Sequence, residues 1–292
     1  MFRNIQQYLL VLAYSLVAFL TLGAEYSLAQ TAEDSVFRFD RINALVLIVM
    51  FSAAVLMFTK WARGGKKLFL RKIPGLDAVE EAVGRATEMG RPVLFIPGLQ
   101  ELDDIETIAG ISILGRVARI TAEYETPLMV PVRYPLVLAG GQEVVEQAYI
   151  EVGKKDAYNQ DIVRYVAGEQ FAFTATVNGW MMREKPAANI YMGAFFAESL
   201  LLAETGNAAG SIQIAGTARP EQLPFFIAAC DYTLMGEELY AASAYLSHEP
   251  VMLGGLKGQD LIKVIIIAAI IIGILLVSFG QGDWYLQLFE KA

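Results

Sequence analysis

PVLFIPG, residues 92–98, sets four apolar residues between two prolines and ends on a glycine. It lacks the in-out alternation of a strand with one wet face, so it reads as a short strand buried on both sides. The pattern recurs at PLMVPV (127–132), IVRYVAG (162–168), NIYMGAF (189–195), SIQIAG (211–216) and YTLMG (232–236). Helical patterns fill the gaps, over 103–122, 142–154, 169–183, 196–205, 220–229 and 237–247. A parallel strand needs a crossover to return to the same end of the sheet, and a helix is the usual one. The alternation therefore predicts an α/β fold with an open, doubly wound, mostly parallel sheet. A closed barrel needs eight strands, and six are visible. One further helix is expected before the first strand, over 76–89, where Leu76, Val79, Val83 and Ala86 fall three and four apart.

Outside this block the chain reads as membrane. INALVLIVMFSAAVLMFT (42–59) is uncharged and as a helix would be about 27 Å long, close to a hydrocarbon core of roughly 30 Å. Lys60, Arg63, Lys66, Lys67, Arg71 and Lys72 follow with no acid among them, as a cytoplasmic flank does. VIIIAAIIIGILLVSFG (264–280) is the other plain span, with Lys263 before it and Asp283, Trp284 and Tyr285 after it. Residues 6–23 are expected to form an uncleaved first span, although Arg3, the apolar run and Ser27-Leu28-Ala29 also have the layout of a secretory signal. The expected organisation is a membrane region over 1–72, a cytoplasmic α/β domain over 73–260, and a last span with a short tail over 261–292. That makes a multi-pass protein of the inner (cytoplasmic) membrane, with its main domain in the cytoplasm. None of these spans carries an ionisable residue, which argues against a proton relay or ion path built by this chain alone.

Composition agrees with a mixed architecture: 55% of residues are hydrophobic and 18% charged. The net charge is −8, and within 73–260 acids clearly outnumber bases. A nucleic-acid surface needs clustered Lys and Arg to replace phosphate counterions, so none is expected here. The basic run 60–72 is better placed against anionic membrane lipid. A single cysteine, Cys230, excludes a disulfide within the chain. With a single histidine, His248, a zinc site of Cys and His is excluded too. His248 stands in SHEP and reads as a solvent-facing helix end.

In an open parallel sheet, ligands bind beyond the carboxyl ends of the strands. Gly98, Gly140, Gly141, Gly168, Gly193, Gly216 and Gly236 are expected there, where glycine lets backbone N–H groups approach an anion. No turn reads GxGxxG or GxxxxGK[ST], so geometry alone also accounts for them. Glu101, Asp103, Asp104 and Glu106 could hold a divalent metal, but they fit better as the acidic first turn of a helix. Arg133 in VPVRYP and Arg219 in GTARPE are the bases expected on the same rim, pairing with that acidic cluster or binding an anionic ligand.

GRPVLFIPG (90–98), two N-terminal spans and GGLKGQDLIK (254–263) before the last span resemble a family of uncharacterised prokaryotic membrane-anchored proteins. The resemblance covers the whole chain and implies architecture, without catalysis. The residues carry no catalytic constellation and imply no cofactor or metal. The leading expectation is a membrane-tethered, non-enzymatic scaffold or assembly subunit, working as a homo-oligomer or with other membrane-complex subunits. The alternative is an enzyme or sensor that binds a nucleotide or small anion through Gly98, Arg133, Gly168, Gly193, Gly216, Arg219 and Gly236.

Overall fold

The computed structural model describes residues 42–65, 74–247 and 250–279. The span expected at 6–23, the signal-like Ser27-Leu28-Ala29, the later bases of the flank, His248 and the tail after 280 lie outside the described residues. The chain divides into two compact units.

One unit holds α1 (Ile42–Arg63) and α9 (Pro250–Ser278). Ala44–Arg63 and Pro250–Ser278 are long and apolar enough to cross a membrane, with mean hydropathy 2.1 and 3.0. The two helices pack antiparallel through Ala54 and Phe58 on one and Leu261 and Ile265 on the other. Gly254 and Gly258 set the spacing. A Cβ on Gly254 would stand 2.4 Å from Thr59 Cα, and one on Gly258 would stand 2.8 Å from Val55 Cγ2. α9 starts well before residue 264, so its apolar run is the second part of a longer helix.

The other unit is the α/β domain. After α2 (Pro74–Met89), strands β1 (Val93–Ile96), β2 (Leu128–Val132), β3 (Val163–Tyr165), β4 (Ala188–Met192), β5 (Ile212–Thr217) and β6 (Tyr232–Met235) form one sheet in the order β3-β2-β1-β4-β5-β6. Every neighbouring pair is parallel. The helices between them are α3 (Ile105–Glu123), α4 (Pro135–Glu151), α5 (Gln170–Glu184), α6 (Glu198–Ala208) and α7 (Leu223–Ala229), and α8 (Glu237–Ser247) follows β6.

Successive strand residues feed opposite cores, which is why the runs are mostly apolar, although Asn189 in β4 and Gln213 in β5 are buried too. Val93, Phe95, Ile190 and Ile214 pack with α2, α3, α4 and α8. Leu94, Ile96, Tyr191 and Ala215 pack with α5, α6 and α7. Right-handed crossovers produce this split: β1 to β3 grows the sheet one way with helices on one face, and β4 to β6 grows it the other way with helices on the opposite face. β1 and β4, where the direction reverses, are hydrogen-bonded neighbours from Val93–Ala188 to Ile96–Tyr191.

Each expected strand is present. α4 is the main departure: it begins at Pro135, and Gly140 and Gly141 lie inside it instead of in a rim turn. Proline at the first helical position suits a helix start, because the N–H it lacks would have no partner there. The Gly-Gly pair was the misleading signal. At Gly141 a Cβ would stand 3.2 Å from Val163 Cγ1, a tight contact that the helix avoids with glycine.

Candidate functional site

The candidate site is the carboxyl rim of the sheet, centred where the strand order reverses between β1 and β4. Here the chain closes on itself. Leu99 N–H donates to Ala194 O at 2.8 Å, joining the loop after β1 to the loop after β4. Gly98 has φ +81° and its missing Cβ would lie 2.8 Å from Ala194 N. Gly193 has φ +139°, a region open essentially to glycine alone, and its Cβ would lie 2.8 Å from Pro97 O. On α3, a Cβ at Gly110 would come within 2.3 Å of Met192 O. Leu99 and Phe195 are fully buried beside these contacts. Backbone from three segments thus meets where doubly wound folds otherwise leave a crevice for a ligand.

Arg219, two residues past β5, reaches back to the start of α3. Its Nε donates to Glu106 Oε1 at 3.1 Å and its Nη2 to Asp104 Oδ2 at 3.2 Å. The remaining acceptors are also engaged. Asp104 Oδ1 accepts from Glu106 N at 2.8 Å and Thr107 N at 3.3 Å as the N-cap of α3. Glu106 Oε2 accepts from Ala218 N at 2.8 Å and Thr217 Oγ1 at 3.1 Å. Phe196 lies under the guanidinium, 5.4 Å from its Cζ. Glu106 is buried and Asp104 largely so, so the pairing matters more than an exposed ion pair would.

Arg133, next after β2, makes the matching link on the other half of the rim. Its Nε donates to Gly168 O at 2.8 Å and its Nη1 to Leu99 O at 3.2 Å, and it stacks on Tyr134. The loops after β1, β2 and β3 are thereby tied together. Glu169 caps α5 by accepting from Phe171 N and Ala172 N, and those bonds, the first above all, hold its carboxyl below the usual range. Fully buried Glu198 accepts from Phe196 N at 2.8 Å and from the Gln170 amide, bracing the loop after β4 against α5. Cys230 lies just before β6, and burial pushes its thiol up to about 12, well away from nucleophilic use.

Of the residues expected at the rim, Gly98, Arg133, Gly168, Gly193, Arg219 and Gly236 lie there, whereas Gly216 is inside β5. Gly98 and Gly193 are brought together by direct backbone contact. Arg219 pairs with Asp104 and Glu106, one of the two roles its position suggested. Arg133 contacts carbonyl oxygens instead of the acidic cluster. Sequence reasoning missed Gly110 and Glu198. A lone glycine inside an apolar helical pattern was the available sign for the first, while nothing local marks Glu198 as buried. Among the described residues no group of three or more His, Cys, Asp or Glu is placed to hold a metal ion. Beside exposed acids such as Glu101, Asp103 and Glu169, the rim presents three apolar side chains: Ile105, Leu136 and Phe171, each in the first turn of its helix, are 67%, 59% and 57% exposed.

No curated protein and no solved structure matches the chain. A family described as a domain of unknown function, DUF6754, matches residues 32–289, and the chain belongs to that family.

Proposed function

We propose that the protein is a membrane-tethered scaffold or assembly subunit, with its α/β domain on the cytoplasmic side of the inner membrane. The observation that carries this reading is the closed rim. Both rim arginines and the two glycines at the strand-order reversal are spent on joining loops to one another. A surface so braced, with exposed Ile105, Leu136 and Phe171, suits contact with another protein. Helices of spanning length in the other unit support the membrane anchor. The purified full-length chain in mild detergent is expected to run as an oligomer or to retain other subunits at native expression. A lone monomer under those conditions would remove the support.

The orientation has its own test. With Cys230→Ser as background, a cysteine at Ser35 is expected to react with a membrane-impermeant maleimide on intact cells, and one at Ser247 is not. The reverse pattern would invert the topology.

Binding of a nucleotide or small anion at the rim is the second reading. The observation in its favour is the strand order itself, β3-β2-β1-β4-β5-β6, the order of many dinucleotide-binding folds. It requires the loops around Gly98 and Gly193 to part and Arg219 to leave Glu106.

A further inference from the structure

We propose that the outer face of α5, α6 and α7 is a docking surface, and that its occupant is the same face of a second copy of the chain. This rests on the assembly reading above, and it names the surface and the partner.

The inference starts from charge. QFAFTATVNGWMM (170–182), nearly all of α5, contains no acid or base, and neither does LPFFIAA (223–229), the whole of α7. A surface helix ordinarily keeps charged side chains on its outer side, and one that is apolar all round is normally covered. In α5, α6 and α7 together the exposed charged side chains are Arg183, Glu184 and Glu204. The helices on the other side of the sheet are built in the ordinary way. Arg85 pairs with Glu81 along α2, Arg116 of α3 with Glu80 of α2, and Arg119 of α3 with Glu151 of α4.

What α5 to α7 present instead is apolar. Phe173, Val177 and Met181 turn inward to the sheet, which leaves Phe171, Ala175 and Met182 on the outside. Met182, Leu201 of α6 and Ile227 of α7 are 52%, 44% and 54% exposed, and Phe225 of α7 is exposed too. α5 packs beside α6 and α6 beside α7. Across the first of these seams Asn178 Nδ2 reaches Leu201 O at 3.5 Å. The apolar side chains therefore share one surface, as interaction sites do. α5 has 15 residues; at about 22 Å of helix and about 10 Å between helix axes, the face measures roughly 20 by 30 Å. That suffices for the ~800 Å² that each partner contributes to a standard interface.

Charge and shape select a second copy as the occupant. Contact with anionic lipid would call for bases, whereas Arg183, Glu184, Lys185 and Glu204 on this side mix both signs. A surface that meets itself about a two-fold axis must be its own complement. Along the outside of α5 the small Ala175 and the half-buried Gly179 lie between the large Phe171 and Met182. An antiparallel α5 from a second copy sets Phe171 against that copy's Met182, an aromatic–sulfur contact, and Ala175 against its Gly179. Chains tethered in one membrane meet at high local concentration, which favours such a pair.

The test uses the full-length protein in mild detergent, its mass read by light scattering corrected for detergent. The wild type is expected to be a dimer. Ala175→Arg and Met182→Glu each place a charge inside the pairing and should weaken the dimer at least tenfold, with far-UV circular dichroism unchanged. Ile150→Arg, at an exposed position of α4, should leave the dimer intact. In native membranes, with Cys230→Ser as background, a short bismaleimide should link Ala175→Cys into a dimer and leave Ile150→Cys unlinked. A dimer indifferent to both α5 charges, weakened equally by Ile150→Arg, or not linked at position 175 would overturn this face and leave assembly standing. A wild type without dimer that loses a different subunit on Ala175→Arg would overturn the second copy as occupant. A wild-type monomer that retains nothing would remove the assembly reading itself.

Discussion

Glycine does the same job in both units of this chain, and what surrounds it differs. In the α/β domain, Gly98, Gly110 and Gly193 let backbone meet backbone, and the polar groups nearby turn inward to one another, as in Arg219 with Asp104 and Glu106. In the helix pair, Gly254 and Gly258 bring α9 onto α1 beside an apolar cluster of Ala54, Phe58, Leu261 and Ile265. Close approach is locked by buried polar pairing in one unit and by apolar packing in the other. The difference teaches that the rim depends on side chains whose loss strands a buried partner, whereas the helix pair depends on how closely two backbones can approach.

The comparison breaks most sharply at Gly110. Ala there is an ordinary helical residue, but its Cβ would sit 2.3 Å from Met192 O, so α3 must move off β4. Gly110→Ala is expected to destabilise the domain by about 4 kcal/mol, the range of severe core disruption, read as lost protection in hydrogen exchange across α3 and β4. The parallel change in the helix-pair unit, Gly254→Leu, should push the helices apart and leave the α/β domain's exchange unchanged. If both units weakened together, they would not be independent folding units.

Arg219→Ala comes next. It strands the buried Glu106 carboxylate and is expected to cost about 2 to 3 kcal/mol, less than for a fully buried pair because the Arg219 side chain is 37% exposed. Arg219→Lys should recover only part of this, since one ammonium cannot serve Asp104 and Glu106 in the same fork. Arg133→Gln removes bonds to carbonyl oxygens alone and should cost about 1 kcal/mol, visible as faster exchange in the loops after β1 and β3.

Cys230 gives the smallest effect. Burial raises its thiol from 9.0 to about 12, so the folded state holds that proton more tightly than the unfolded chain does. Its contribution to stability is whole below pH 9 and is lost as the pH climbs toward 12. Near neutral pH the native thiol should resist maleimide and label fully only after denaturation.

Much of this was legible in the sequence because parallel strands covered on both faces are mostly apolar, and these are, with Asn189 and Gln213 as buried exceptions. Leu94 and Phe95 point to opposite cores, so neither could be polar. The helix starts were less legible. Gly140-Gly141 resembles a turn but sits in α4, where Val163 limits the space above Gly141. Single rim residues could be listed but not joined. Arg219 and Glu106 are far apart in sequence, and only the crossover topology brings the loop after β5 over the start of α3. The alignment of the two apolar helices was invisible for the same reason: each apolar run looks self-sufficient, and the contacts at Gly254 and Gly258 fix how they lie side by side.

The most direct measurement is the melting temperature of the full-length protein in detergent with millimolar ATP, GTP, NAD or NADP added one at a time. A ligand that binds the native state must raise it, by RT ln(1 + [L]/Kd) in free energy. A rim closed by its own loops and arginines predicts no change with any of the four. A rise with one of them, abolished by Arg219→Ala or Arg133→Gln, would contradict the closed rim and make it a ligand site.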